Sequence, residues 1–138
     1  MQRAGRTVAL EVLARRYVCC RCDAVITVVP AELAHRHLYT RQVIALALAT
    51  WAYAGLSARE VRAAYALGQH VGASALGWPA LARWARSAAR LWRALRPLAE
   101  PASPRALALG VSTQLAAHCP VPVGRVLDDI VLGGVHAA

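Results

Sequence analysis

The fold of this chain starts with Arg15-Arg16-Tyr17-Val18-Cys19-Cys20-Arg21-Cys22, followed closely by Val25-Ile26-Thr27-Val28-Val29-Pro30. Apolar residues alternate from Thr7 to Val18, which is the period of a β-strand. The second stretch is a β-branched run that Pro30 stops. With the cysteine-containing turn between them, the two runs predict a β hairpin.

Cys19 and Cys22 form a Cys-x-x-Cys pair at that turn. Two thiolates at this spacing can hold one metal ion, but a tetrahedral zinc site needs four ligands. The sequence contains no second pair of this kind, so the remaining candidates are His35 and His37, or the distant His118-Cys119. Zinc is therefore a candidate cofactor with an incomplete ligand set. A hairpin that folds without metal is the alternative that we favour from the sequence.

The charge of the chain is strongly unbalanced. Its 138 residues carry a formal charge of +9, from 16 basic and 7 acidic residues, and every basic residue is Arg. Arg makes bidentate contacts with phosphate and with guanine, so this excess favours a nucleic-acid partner. A GC-rich coding bias accounts for Arg in place of Lys, but it does not account for the imbalance.

The cysteines and the apolar stretches indicate the compartment. Three of the four cysteines are too close together to build a disulfide framework, and no secretory signal precedes them, so we expect a cytoplasmic protein. The uncharged stretch Gln42 to Ala58 is shorter than the roughly 20 apolar residues of a membrane span. We expect it to form a buried helix and the protein to have no membrane partner.

Local signals predict three helices in the middle of the chain. Thr40 can cap a helix that runs to about Tyr53, and Gly55 follows it. Ser57-Ala58-Arg59-Glu60 has the form of a capping box and opens a second helix, Ala58 to Leu67. Pro79 suits the first turn of a third helix that ends at Arg96-Pro97.

The third helix is predicted to be amphipathic. Leu81, Trp84, Leu91 and Trp92 recur at helical spacing and form its buried face, so the tryptophans are core residues rather than base-stacking platforms, with Trp78 left open. The opposite face and the preceding helix carry the candidate DNA-binding residues, which are Arg59, Arg62, Arg83, Arg86, Arg90 and Arg93. Ser74, Arg83 and Ser87 are the candidates for contacts with base edges or backbone.

Prolines separate the last third of the chain from the rest. Pro97, Pro101 and Pro104 indicate a linker, followed by a helix from Arg105 to His118. A short helix from about Val123 to Leu132 comes next, and we expect Gly133-Gly134 to end it and release the tail. The predicted domains are a hairpin or degenerate zinc ribbon over 1–38, a helix-turn-helix-like domain over 39–96, and a Pro-rich linker with a helical tail over 97–138.

Several of these pieces, in this order, resemble a bacterial protein family. They are Arg16-Tyr17-Val18-Cys19-Cys20-Arg21-Cys22, Val28-Val29-Pro30, Tyr39-Thr40-Arg41, Gly55-Leu56-Ser57-Ala58-Arg59-Glu60-Val61 and Leu81-Ala82-Arg83-Trp84. Together they are similar to the zinc-ribbon and helix-turn-helix N-terminal modules of transposases and of related small proteins. The resemblance covers about residues 7 to 95.

The resemblance implies a mainly α fold in which half a zinc ribbon precedes a three-helix bundle with a short helical tail. It also implies binding of double-stranded DNA, with the third helix in the major groove. The chain departs from the family in four respects. It has no upstream Cys-x-x-Cys and no catalytic portion, and it has Asp23 where many ribbons have Gly. The loop between its second and third helices is also long for a helix-turn-helix.

We therefore predict a DNA-binding module without catalytic activity of its own. Glu100, Asp128 and Asp129 are too few acids, on too short a segment, for two-metal phosphoryl transfer. The adjacent His118 and Cys119 do not suit a nucleophile and its base. One alternative is a protein-interaction or oligomerisation module, with a second copy of the chain as partner. Another is a decayed fragment of a transposase.

Overall fold

The computed structural model describes residues 12–28, 39–65, 78–99 and 103–138. The described residues form one antiparallel β hairpin and six helices, which confirms the prediction of a mainly α fold with an N-terminal hairpin. The elements are β1 (Arg15–Val18), β2 (Val25–Val28), α1 (Arg41–Ala52), α2 (Ala58–Tyr65), α3 (Pro79–Arg86), α4 (Ala88–Leu91), α5 (Pro104–Ala117) and α6 (Val126–His136).

The hairpin closes around the cysteine turn as the sequence predicts. Arg15 pairs with Val28 at its open end and Val18 pairs with Val25 next to the turn. Within the turn, the Cys19 backbone N–H donates to the Ala24 carbonyl oxygen at 2.9 Å. Every residue of both strands is exposed, so the hairpin adds no side chain to the buried cluster of the described residues.

Helix α1 is the centre of the molecule. It begins as predicted, because the Thr40 hydroxyl accepts the Val43 backbone N–H and caps the helix start. Ile44, Leu48 and the alanines between them are fully buried, which confirms a buried helix in the uncharged stretch. In the part of the chain that the structure describes, no helix is long and apolar enough to cross a bilayer.

Helix α2 starts at the capping box. The Ser57 backbone N–H donates to Glu60 Oε2 at 2.8 Å, and the Glu60 backbone N–H donates to Ser57 Oγ at 3.3 Å. These reciprocal bonds satisfy two donors that the first helical turn leaves without partners. The side chain of Val61 is buried beside α1, which fixes the inner face of the helix.

The third helix is shorter than predicted. Instead of running to Arg96, it turns at Ser87 between α3 and α4, and the helix ends at Leu91. Trp92 has an extended backbone, with φ −132° and ψ 106°. Its fully buried indole N–H donates to the Gly134 carbonyl oxygen at 2.9 Å. The contact with α6 therefore ends this helix at Leu91, although the apolar pattern of the sequence continues beyond that residue.

The last third of the chain belongs to the core. Helix α5 lies within one residue of its predicted bounds, and both α5 and α6 pack along α1. Val111, Leu115 and Ile130 are almost fully buried in the same cluster as Ile44 and Leu48. The core thus includes side chains from both sides of the boundary predicted after residue 96.

The prediction that Gly133-Gly134 releases the tail is wrong. Both glycines are buried inside α6, which continues to His136. A Cβ at Gly133 would collide with the backbone carbonyl oxygen of Leu115, and a Cβ at Gly134 would lie 3.3 Å from Ala45 Cβ. The two glycines therefore mark the place where α6 approaches α5 and α1 most closely.

Candidate nucleic-acid interface

Helices α3 and α4 have a buried apolar face and an exposed basic face. Leu81, Trp84, Ala85, Ala88 and Leu91 form the buried face. The exposed face carries Arg83, Arg86 and Arg90, which we call the arginine face. Arg83 and Arg86 are three positions apart in α3, so the helical repeat brings their side chains to one side, and Arg90 is exposed in α4 after the turn at Ser87. This arrangement agrees with the amphipathic pattern expected from the sequence.

Arg93 is exposed but lies outside the helix, in the turn that follows Trp92. Its side chain therefore does not continue the helical spacing of the arginine face. Ser87, a candidate for DNA contact, donates its hydroxyl to the Arg83 carbonyl oxygen at 2.6 Å. That bond occupies the hydroxyl proton at the turn between α3 and α4. Ser74 lies outside the described residues.

Helix α2 supplies the two other candidate arginines. Arg59 is exposed in its first turn and Arg62 is half-buried. Helices α2 and α3 both contact α1, so one buried helix supports the elements that carry the candidate residues. The segment that joins α2 to α3, residues 66–77, lies outside the described part of the chain.

Within the described part of the chain, no acidic side chain neutralises the arginine face. Across the described ranges, no carboxylate forms an ion pair with Arg83, Arg86 or Arg90. Arg125, by contrast, lies 4.0 Å from Asp128 at the start of α6. The positive charge of the arginine face is therefore available to an anionic partner.

Trp78 belongs to an aromatic cluster at the start of α3. Its ring makes edge contacts with Trp84, at a centroid distance of 4.9 Å, and with Tyr39, at 5.7 Å. Tyr39 and Trp84 are 5.3 Å apart, which completes a three-ring cluster. Trp78 is half-buried there, so its edge and face already contact protein. This packing accounts for the one tryptophan that the sequence leaves open.

Arg96 was not among the candidate site residues predicted from the sequence, where it marked only the predicted end of the third helix. Arg96 is exposed, and the Gln114 side chain fixes its backbone with two hydrogen bonds, at 2.8 Å to the Arg96 N–H and 3.1 Å to its carbonyl. It lines an open groove of about 370 Å³ together with Arg86, Leu95, Leu98 and Val111. No local signal connects Gln114 to Arg96, because the two residues are far apart in the sequence.

The cysteine turn brings Cys19 and Cys22 together. The backbone N–H of Arg21, and after it the N–H and thiol of Cys22, donate hydrogen bonds to the Cys19 sulfur and hold the pKa of Cys19 below its ordinary value. Asp23 has φ 55°, the left-handed conformation that the family resemblance assigns to Gly at this position. The residue directly after Cys22 thus turns the chain with a left-handed backbone.

The other candidate ligands do not join this pair in the described residues. Cys119 is buried beside α6, where its thiol points to the Val121 carbonyl oxygen at 3.4 Å. His35 and His37 lie outside the described part of the chain. Over residues 12–28, 39–65, 78–99 and 103–138, no group of three His, Cys, Asp or Glu side chains could hold a metal ion.

Comparisons of the chain with models of protein families, with curated proteins and with solved structures gave no match. The resemblance to transposase N-terminal modules therefore stays a prediction, carried by the motifs alone. What the chain does must be argued from its own geometry and charge.

Proposed function

We propose that this chain binds double-stranded DNA through the arginine face of α3 and α4, without catalytic activity of its own. The observation that carries the proposal is a row of exposed arginines, without acidic partners among the described residues, on helices whose other face is buried. Arginine side chains recognise phosphate by charge and by paired hydrogen bonds. Arg59 in α2 and Arg93 after α4 are also exposed and add to the positive charge of the described residues.

The side chains at the start of α3 favour weak sequence preference. In a helix-turn-helix protein, the N-terminal residues of the recognition helix contact base edges. Here the corresponding positions hold Pro79, Ala80 and Leu81, and Arg83 is the first residue of α3 with hydrogen-bond donors for a base. We therefore expect contacts mainly with the phosphate backbone, which position a protein on DNA without reading its sequence.

Fluorescence anisotropy with a labelled random duplex, at several salt concentrations, tests the proposal. The logarithm of the binding constant should fall linearly with the logarithm of salt concentration, because bound arginines release counterions. Arg83→Gln, Arg86→Gln and Arg90→Gln should each reduce the slope by about 0.9 if the residue contacts one phosphate. A competing unrelated duplex should displace the probe with similar affinity.

Arg125→Gln is the matched control, since it removes the same charge from a residue already paired with Asp128. Its salt slope should equal that of the unmodified protein. Equal slopes for all four variants would show that only net charge attracts DNA, and would contradict the assignment to the arginine face. Absence of measurable binding at low salt would leave the decayed fragment as the better account.

One observation favours the second candidate function, self-association. The hairpin exposes Tyr17, Val18, Val25 and Ile26, with half or more of each side chain accessible. Apolar side chains grouped in this way on a protein surface commonly mark a contact with another molecule. This function does not compete with DNA binding, because the hairpin and the arginine face are different surfaces.

A further inference from the structure

The cysteine turn is built like half of a metal site. Two hydrogen bonds of 2.9 Å, from Cys19 N–H to the Ala24 carbonyl and from Asp23 N–H to the Cys19 carbonyl, close the turn. The thiolate is the form of cysteine that binds zinc. The turn thus presents Cys19 and Cys22 at the spacing of two metal ligands.

A zinc ion needs two ligands more than this turn provides. Structural zinc sites are four-coordinate, and a pair of thiolates leaves half of the coordination sphere open. Among the described residues no third His, Cys, Asp or Glu side chain is placed to hold a metal ion together with the pair, and the buried Cys119 thiol faces Val121 instead. A single copy of the described residues therefore does not complete a structural zinc site.

The surroundings of the turn suit a second copy of the same hairpin. Tyr17 pairs with Ile26 on one face, Val18 pairs with Val25 on the other, and all four side chains are exposed. An isolated two-stranded hairpin is marginally stable in water, so this one would gain from a partner that covers it. A two-fold axis beside the turn would bring two identical pairs of thiolates to one point.

We propose that two copies of this chain share one zinc ion, held by Cys19 and Cys22 of each copy. The four thiols lose their protons on binding, and the resulting complex of one Zn²⁺ with four thiolates carries two negative charges. Arg16 and Arg21 are exposed near the turn in each copy and offset that charge. The metal thus serves as the link of a dimer in which one apolar face of each hairpin covers the other hairpin.

The test uses the full chain, purified in a metal-free reducing buffer and titrated with Zn²⁺ alone. Metal content and light-scattering mass should together give one zinc per two chains and a dimer, and a chelator should return the monomer. Co²⁺ in place of zinc should give the intense visible and near-ultraviolet absorption of a tetrahedral site with four thiolates. No DNA is needed, so the outcome is independent of the proposed function.

The Cys19-Cys20-Arg21-Cys22 sequence supplies its own control. Cys22→Ser should abolish both metal binding and the dimer, whereas Cys20→Ser removes an exposed thiol of the same turn and should leave both unchanged. One zinc per monomer, lost in His35→Ala or His37→Ala, would overturn the proposal in favour of a site within one chain. A dimer that persists in chelator, or a chain that binds no zinc, would also overturn it.

Discussion

Among the glycines that the structure describes, Gly133 is the one at which an added carbon would do most damage. A Cβ there would collide with the Leu115 carbonyl oxygen and lie 3.2 Å from the Cys119 nitrogen. Both neighbours are backbone atoms at the end of α5, which cannot rotate away as a side chain can. Since overpacking commonly costs about 1–3 kcal/mol, we expect Gly133→Ala to lower the free energy of unfolding by about 3 kcal/mol. Urea denaturation followed by circular dichroism measures this.

Alanine substitutions at two other helical glycines serve as controls for Gly133→Ala. A Cβ at Gly134 would lie 3.3 Å from Ala45 Cβ, so Gly134→Ala should cost about 1 kcal/mol. At Gly110, a Cβ would meet the flexible end of Leu98 at 3.0 Å. Alanine gains about 1 kcal/mol over glycine in helix propensity, so Gly110→Ala should be close to neutral. A loss at Gly110 equal to that at Gly133 would contradict the steric account.

For individual residues, the sequence indicated features with a local cause and missed those that depend on contacts between distant parts of the chain. Asp23 stands where the resembling ribbons have Gly, and its left-handed backbone agrees with the tight turn that the resemblance implies there. The role of Gly133 was not, because glycine is a poor helix former and its value here comes from contact with Leu115 on another helix. The close packing of α5 on α6 makes glycine necessary at a helix position that glycine would otherwise only weaken.

At the scale of single elements, the Glu60 side chain makes the stability of the start of α2 depend on pH. Hydrogen bonds from the Ser57 hydroxyl, and after it the Ser57 backbone N–H, hold the pKa of Glu60 below its ordinary value of 4.5. A carboxyl group with a lowered pKa stabilises the fold fully above its ordinary pKa. That stabilisation is lost as the pH falls through the lower pKa of the folded state.

We therefore expect the unmodified protein to unfold at a higher temperature than Glu60→Gln near pH 7. The difference should shrink below about pH 4, as the carboxylate takes up its proton. Thermal unfolding of both proteins over this range measures the effect. The other acidic residues are common to both proteins, so their titration cancels in the comparison. A difference that does not change with pH would show that the capping carboxylate has no such role.

Helix starts were easier to predict than helix ends. Thr40 and Ser57 cap α1 and α2 where the sequence places them, because a cap is a bond between residues only three positions apart. The end of the third helix depends instead on Trp92, which bonds to a carbonyl oxygen of α6. The pattern of Leu91, Trp92 and Leu95 fits a continuing helix equally well, so local reasoning could not detect the stop.

The candidate site could be predicted only in part, because a sequence shows local spacing but not contacts between distant residues. Helical spacing correctly predicted that Arg83, Arg86 and Arg90 are exposed. It wrongly continued the helix to Arg93, and it gave no indication that Gln114 holds the backbone of Arg96. The cysteine pair and its incomplete ligand set were evident from the sequence, whereas only the structure shows that the Cys119 thiol lies against the Val121 carbonyl oxygen.

At the scale of the whole molecule, α1 connects the two halves of the helical region. Leu48 of α1, Leu115 of α5 and Ile130 of α6 are almost fully buried in one cluster. The prolines at the start of the last third predicted a linker, and Pro104 in fact occupies the first turn of α5. Proline is favoured at that position because its missing N–H would have no helical partner there.

This shared core predicts a single unfolding transition for the helical region. Leu48→Ala and Leu115→Ala should each lower the free energy of unfolding by about 3 kcal/mol, because each leaves a cavity in a fully buried site. Both should shift the same transition, whether far-ultraviolet circular dichroism or tryptophan fluorescence is followed. If residues 97–138 were an independent tail, Leu115→Ala would leave the transition reported by Trp84 in place, and the two probes would separate. Coincident curves in both variants would instead show that the surface carrying the arginine face is stable only when α5 and α6 are packed behind it.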